Sequence, residues 1–212
     1  IWYPNSSGSF LDLLADGCAF YDNDGNLVNA AEISGTFLYN VQVQQHTHSF
    51  TDGACACGYT CPHTSVNENG VCEICNKQFA ASITEGNDVT YYDTFDGALV
   101  YATRNDGCTL KLLADVTGPV SINTPFIFDL NGHNFNKLSV GARAKIRDSS
   151  TTKGTIKELK VFNMTDETVL TVADLLEEGY AFKSSSENKW YFGVENAITN
   201  VTVQPAPIKS VT

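Results

Sequence analysis

Five of the seven cysteines fall between positions 55 and 75, and three of the four histidines lie in or just before that window. The window reads as two halves. The first carries His46-x-His48 and Cys55-x-Cys57, and the second carries Cys61-x-His63 and Cys72-x-x-Cys75. Gly53 and Gly70 each precede a cysteine by two residues, so the halves look like a tandem duplication. Each offers four soft nitrogen and sulfur donors, the set that tetrahedral zinc takes. Cys55-x-Cys57 is one residue tighter than the usual spacing, and ligands could also be exchanged between halves. Disulfides are the competing reading, since cysteines of secreted chains often pair; free thiols are the third. Histidines interleaved at ligand spacing favour zinc, because a disulfide has no use for them. Eight Cys and His donors leave no open coordination position, which points to one or two structural ions rather than a catalytic one. The metal would replace a core that so polar a segment cannot build. Cys18 and Cys108 stand apart and read as buried thiols, with a long-range bridge between them as the alternative.

The rest of the chain is of ordinary globular composition, 42% hydrophobic and 17% charged, which is enough for a packed core. Its net charge of −11 argues against a nucleic-acid partner, which needs a basic face, and against a polybasic membrane anchor. No apolar run approaches the roughly 20 residues of a membrane-spanning helix. The opening Ile1-Trp2-Tyr3-Pro4 lacks a start methionine, so the sequence is read as a piece of something longer.

An internal repeat is visible at the two ends. Ser9-Phe-Leu-Asp12 through Gly17 and Phe20 matches Thr171-Val-Ala-Asp174 through Gly179 and Phe182, and Asn40-Val41-Gln-Val43 matches Asn200-Val201-Thr-Val203. Each copy has a Ser or Thr cap with an acid three residues on, then a glycine stop. A short helix followed by strands is expected in each. The period of a tandem array would be about 160 residues.

Between them two strand series interleave. Strands starting at 109, 126 and 144 form one and those starting at 119, 136 and 154 the other, so both advance by 17 and then 18 residues. A shared step predicts stacked coils of a parallel β-helix. Phe95, Ala98, Leu99 and Ala102 share a helical face, with Asp93 as the expected N-cap; this helix, 93–103, is expected to cap the N-terminal end of the stack. The predicted fold is mostly β: a short parallel β-helix with a helical N-terminal cap, a small zinc-binding module, and short α/β flanking elements. The expected divisions are 1–45, the C-terminal part of a preceding unit; 46–80, the metal-binding linker; 81–163, the β-helix; and 164–212, homologous to 9–45.

The string from Val89 to Leu99, then Thr109 to Val116, then Phe128-Asp-Leu-Asn-Gly-His133, resembles repeats of large cell-surface proteins of Gram-positive gut bacteria. So do Leu13-Leu-Ala-Asp-Gly-x-Ala-Phe20 and the Cys/His linker. The resemblance spans roughly residues 9–203, departing at Cys18 and at the tight Cys55-x-Cys57. It implies right-handed, pectin-lyase-like β-helices and a place on the cell wall of a commensal bacterium. It also implies a role as an adhesin or glycan-binding module, and in some such proteins superantigen-like binding of host immunoglobulin.

Function is therefore expected to be non-catalytic binding of a host protein, immunoglobulin included, or of a host glycan, with neighbouring repeats of the same chain as further partners. Trp2, Tyr3, Tyr91, Tyr92, Trp190 and Tyr191 are the candidate contact residues, although aromatic residues in strands are usually packed. A mucin-binding adhesin, a rigid spacer and a polysaccharide lyase or hydrolase fragment are the alternatives. For the last, Asp129 and Asp148 with Arg147 and Lys111 are the only acids and bases that could be assembled. Their simpler reading is that they serve turns and solvent.

Overall fold

The computed structural model describes residues 9–33, 38–141, 144–162, 171–192 and 195–207. The chain forms two compact units, residues 1–67 with 71–78 and residues 68–70 with 79–212. It is mostly β, as the alternating patterns predict.

Among the described residues, the first element of the first unit is a single 3-10 turn, Phe10–Leu13. Leu11 N–H donates to Ser9 Oγ at 3.2 Å and Ser9 N–H donates to Asp12 Oδ2 at 2.9 Å, a reciprocal capping box. One turn forms in place of a short helix because Leu14 is already extended and Gly17 is left-handed at φ 71°. The chain then enters β1 (Cys18–Asp22), which pairs antiparallel with β2 (Val41–Gln45), placing Phe20 opposite Val43. Phe10, Phe20 and Ala30 form a small core. Two short strands follow, β3 (Phe50–Thr51) and β4 (Ala54–Cys55).

The second unit starts with the hairpin β5 (Ala81–Glu85) and β6 (Asp88–Tyr92), then helix α1 (Phe95–Ala102). Thr94, not Asp93, caps α1, accepting from Gly97 N–H at 3.2 Å. The strands β7 (Thr109–Leu112), β8 (Val116–Ile122), β9 (Ile127–Asp129), β10 (Phe135–Val140), β11 (Lys145–Arg147) and β12 (Ile156–Val161) alternate between two sheets. In one, Leu110, Phe128 and Ile146 lie in register on parallel β7, β9 and β11. In the other, Val120, Leu138 and Leu159 do so on β8, β10 and β12. The step is 18 residues from Val120 to Leu138 and 21 from Leu138 to Leu159. Most of these ladder side chains are fully buried, and each buried Leu, Ile or Phe contributes about 1.5–3 kcal/mol.

These ladders form two separate sheets and not the closed β-helix expected, and an antiparallel strand takes one edge of each. The free side of β7 is paired with β5, and that of β12 with β15 (Ala197–Pro205). β15 in turn pairs with β13 (Tyr180–Ser184), and β13 with β14 (Trp190–Tyr191). Nor is a helical N-terminal cap present: β5 occupies that edge, and α1 packs Ala98 and Ala102 into the core. Phe95 meets Phe128 and Phe135 edge-on, with centroids 6.2 and 5.9 Å away.

The second copy of the terminal element follows the course of the first. Thr171 and Asp174 form a capping box around the 3-10 turn Val172–Leu175, and Gly179 is left-handed. The registers also correspond: Phe20 opposite Val43 in the first copy, Phe182 opposite Val203 in the second. Asn40 and Asn200 are left-handed at φ 55° and 51°. His46 N–H donates to the Gly17 carbonyl and Ala206 N–H to that of Gly179, each at 2.8 Å.

Candidate metal centres

The eight Cys and His residues gather into two groups, His46, His48, Cys55, Cys57 and Cys61, His63, Cys72, Cys75, and within each the donor atoms lie within 4.8 Å of one another. The halves keep their own ligands, and none is exchanged.

In the first group, His46 leaves the end of β2. Asp52 and Gly53 are both left-handed, the twist a two-residue hairpin requires, and this turn between β3 and β4 delivers Cys55. Gly58 N–H closes on the Cys55 carbonyl at 2.9 Å, bending the chain so that Cys57 faces the same point. Only glycine fits at 58, since a Cβ there would lie 2.5 Å from Asn29 Oδ1 and 2.6 Å from Ala31 N. His46 Nε2 is 3.2 Å from Cys55 Sγ, and His48 Nδ1 is 3.4 Å from Cys57 Sγ. The outer nitrogen of His46, Nδ1, is bonded to Tyr21 Oη at 2.9 Å, and His48 stacks on Tyr59 with centroids 4.5 Å apart. Such outer partners orient a metal-binding ring.

In the second group, Cys72-Glu-Ile-Cys75 turns back on itself. Asn76 N–H donates to the Cys72 carbonyl at 2.8 Å with Asn76 left-handed, and Cys72 N–H donates to the Lys77 carbonyl. Cys61 Sγ is 3.7 Å from Cys72 Sγ, and His63 Nδ1 is 3.5 Å from Cys75 Sγ.

These separations fit a tetrahedral ion. Bonds of about 2.3 Å to sulfur and 2.0–2.1 Å to nitrogen give edges of about 3.8 Å between sulfurs and about 3.6 Å between sulfur and nitrogen. All seven cysteines are free thiols, including Cys18 and the buried Cys108, so no bridge joins those two. One thiol in each group is primed to ionise. Burial opposes ionisation of Cys55, but the Cys57 backbone and the His46 and His48 rings outweigh it and bring Cys55 down to about 6. Burial likewise opposes Cys72, and hydrogen bonds from His63 and the Cys75 and Ile74 backbone bring it to about 6. Burial instead pushes Cys61 up to about 11. The clusters could hold metal ions, with every donor position taken by protein.

The described aromatic candidates lie in two different sheets. Trp2 and Tyr3 lie outside the described residues. Tyr91 and Tyr92 are half-buried on β6, the first against Phe79 and the second against Tyr101. Trp190 and Tyr191 are half-buried on β14, in the other sheet. There Trp190 stacks on Phe192, which is 60% exposed, while Lys183 and Lys189 lie over the Trp190 and Tyr191 rings. Phe192 was not among the sequence candidates, although it follows them directly in the chain.

Asp129 and Asp148 are both buried. Asp129 accepts from Arg147 Nε at 2.9 Å and from the N–H groups of Asn131 and Ser149. Asp148 accepts from the N–H groups of Gly132, Ser150 and Gly154, and burial raises its carboxyl above the ordinary range. Both acids thus hold successive corners of the ladder.

Comparison with protein-family models, with curated proteins and with solved structures found no match.

Proposed function

We propose that this chain is a non-catalytic extracellular binding module of a bacterial surface protein, with structural zinc in its two Cys/His groups and a host macromolecule as its partner. The observation that carries the reading is a contrast. The acids that the sequence offered for catalysis, Asp129 and Asp148, are buried and committed to backbone N–H groups. The aromatic residues on β14, by contrast, lie on an edge strand with Phe192 exposed and two lysines beside them. An edge strand with outward aromatic residues suits docking of a protein strand or loop. The partner class, immunoglobulin or a glycan, follows from the resemblance to surface repeats of gut bacteria.

The zinc reading rests on the donor set and its tetrahedral spacing. Four protein donors per group leave no place for substrate, so the ions would fix the loops from His46 to Asn76 and take no part in chemistry.

The test is capture from intestinal secretion on the immobilised chain, with Trp190→Ala and Phe192→Ala variants beside it. Retained immunoglobulin, reduced in both variants, supports the protein-binding reading. Mucins retained only before deglycosylation support the glycan adhesin. An empty column favours a spacer. Polysaccharide turnover that Asp148→Asn abolishes would overturn the non-catalytic assignment.

A further inference from the structure

The two Cys/His groups keep separate ligands but share a frame, and both lie in the first compact unit. Only Gly58, Tyr59 and Thr60 separate Cys57 of the first group from Cys61 of the second. This short link is built into the first group. Cys55 N–H donates to the Tyr59 carbonyl at 2.8 Å, Ala54 bridges to Thr60, and the Tyr59 ring stacks on His48. The next residue, Cys61, faces both ways. Its thiol lies 3.7 Å from Cys72 Sγ, and its N–H donates to the Gly53 carbonyl at 2.8 Å. Gly53 belongs to the turn between β3 and β4, the turn that delivers Cys55.

His63 has the same double role. Its Nδ1 is 3.5 Å from Cys75 Sγ. The other edge of the ring lies over Gly53, where a Cβ would stand 3.4 Å from Cε1 and 3.5 Å from Nε2. Lys77 Cδ is 3.5 Å from that point, and the Lys77 carbonyl accepts from Cys72 N–H at 2.9 Å. Gly53 is buried by these neighbours although Thr51, Asp52 and Ala54 around it are exposed. Two ligands of the second group, and the residue bonded to a third, thus hold the turn on which the first group depends. Fixing such a turn costs conformational entropy. An ion that has already ordered the shared part leaves less ordering for the other ion to impose.

We infer that the two groups bind zinc cooperatively, each ion raising the affinity for the other through the contacts of Cys61 and His63 with Gly53. The inference rests on the zinc reading above and deepens it, since four donors per group would otherwise describe two independent sites. Couplings of this kind typically amount to about 5–150-fold, and for binding they are equal in both directions. The inference is independent of which macromolecule the module binds.

The test is zinc binding to the full chain, measured by competition with a chromophoric chelator. Three forms are compared: the natural chain, Cys72→Ser/Cys75→Ser, which leaves the first group alone, and Cys55→Ser/Cys57→Ser, which leaves the second alone. The overall two-ion constant of the natural chain should exceed the product of the two single-group constants by about ten-fold or more. A ratio near one would overturn the inference. The same ratio is then taken in a His63→Cys background, which keeps four donors in the second group, so both ions should still bind. Without the ring over Gly53 the ratio should fall by at least about three-fold, and an undiminished ratio would overturn the inference as well. Hydrogen exchange supplies the structural readout. In Cys55→Ser/Cys57→Ser, zinc at the second group should slow exchange of the amide at position 55, which bonds to Tyr59 in the link. Exchange there that ignores zinc would count against the coupling. Absence of bound zinc from all three forms would overturn the zinc reading itself, and this inference with it.

Discussion

Cys61 Sγ lies 3.7 Å from Cys72 Sγ. A disulfide needs about 2.05 Å, whereas two thiolates sharing one tetrahedral zinc stand about 3.8 Å apart. The expected outcome is two zinc ions per chain by native mass spectrometry. Cys72→Ser and Cys55→Ser should each remove one ion and leave the other. A chelator should accelerate hydrogen exchange across residues 46–77 and leave β7–β12 protected. Peptide mapping that found Cys61 joined to Cys72 would refute the metal reading.

Tyr21 makes a sharper test of the first group, because it is not a ligand. Its hydroxyl fixes the outer nitrogen of His46 at 2.9 Å. Losing such a partner typically weakens a metal site by about 10–100-fold. Tyr21→Phe should therefore weaken one of the two zinc-binding phases by about that factor in competition with a chromophoric chelator. The second phase, from Cys61, His63, Cys72 and Cys75, should not move.

The two Cys/His groups were legible in sequence because their members are local: each set spans a short stretch of chain, and chemistry restricts which residues could serve as donors. Tyr21 was not legible, since its position at His46 depends on β1 pairing with β2. The strand series was legible because a short, nearly regular step reappears as the row Leu110, Phe128, Ile146, spaced by 18 and 18 residues, and the row Val120, Leu138, Leu159, spaced by 18 and 21. Closure was not. An alternating pattern does not distinguish a parallel strand from an antiparallel one, so nothing in Ala81–Glu85 or Ala197–Pro205 announced that these strands would take the ladder edges. The helix misled for a related reason. Its apolar face was read correctly, but which surface it covers depends on the hairpin before it.

The corner at Gly154 offers a stability test of the ladder. A Cβ there would come 2.0 Å from the His133 carbonyl oxygen, a backbone atom that cannot step aside, and Gly154 N–H donates to Asp148 at 2.7 Å. Gly154→Ala should destabilise by about 1–3 kcal/mol or more, the range for overpacking. At Gly118 a Cβ meets nothing within 4 Å, and its φ is not left-handed. Gly118→Ala should therefore be close to neutral. Equal midpoints for the two variants in urea unfolding would show that the corner is looser than described.

Asp115 governs part of the acid response. It accepts from Asn134 N–H at 2.8 Å and from the Asn134 side-chain amide at 3.1 Å, and the backbone bond first among these holds its carboxyl below the ordinary range. A carboxyl lowered in the folded state contributes its full stability above its unfolded value of about 3.9, and loses it as pH falls through the lowered folded value. Asp115→Asn removes that titration while keeping an acceptor at the same place. The melting temperature of the natural chain should then fall more between pH 5 and pH 3, on the order of a few degrees, than that of the variant. That same difference should stand at pH 7, where the natural chain melts higher than the variant, and it is small because solvent screens the half-exposed Asp115 side chain. Parallel curves down to pH 3 would mean that the bond to Asn134 is made equally well by the protonated acid, and that acid unfolding begins elsewhere.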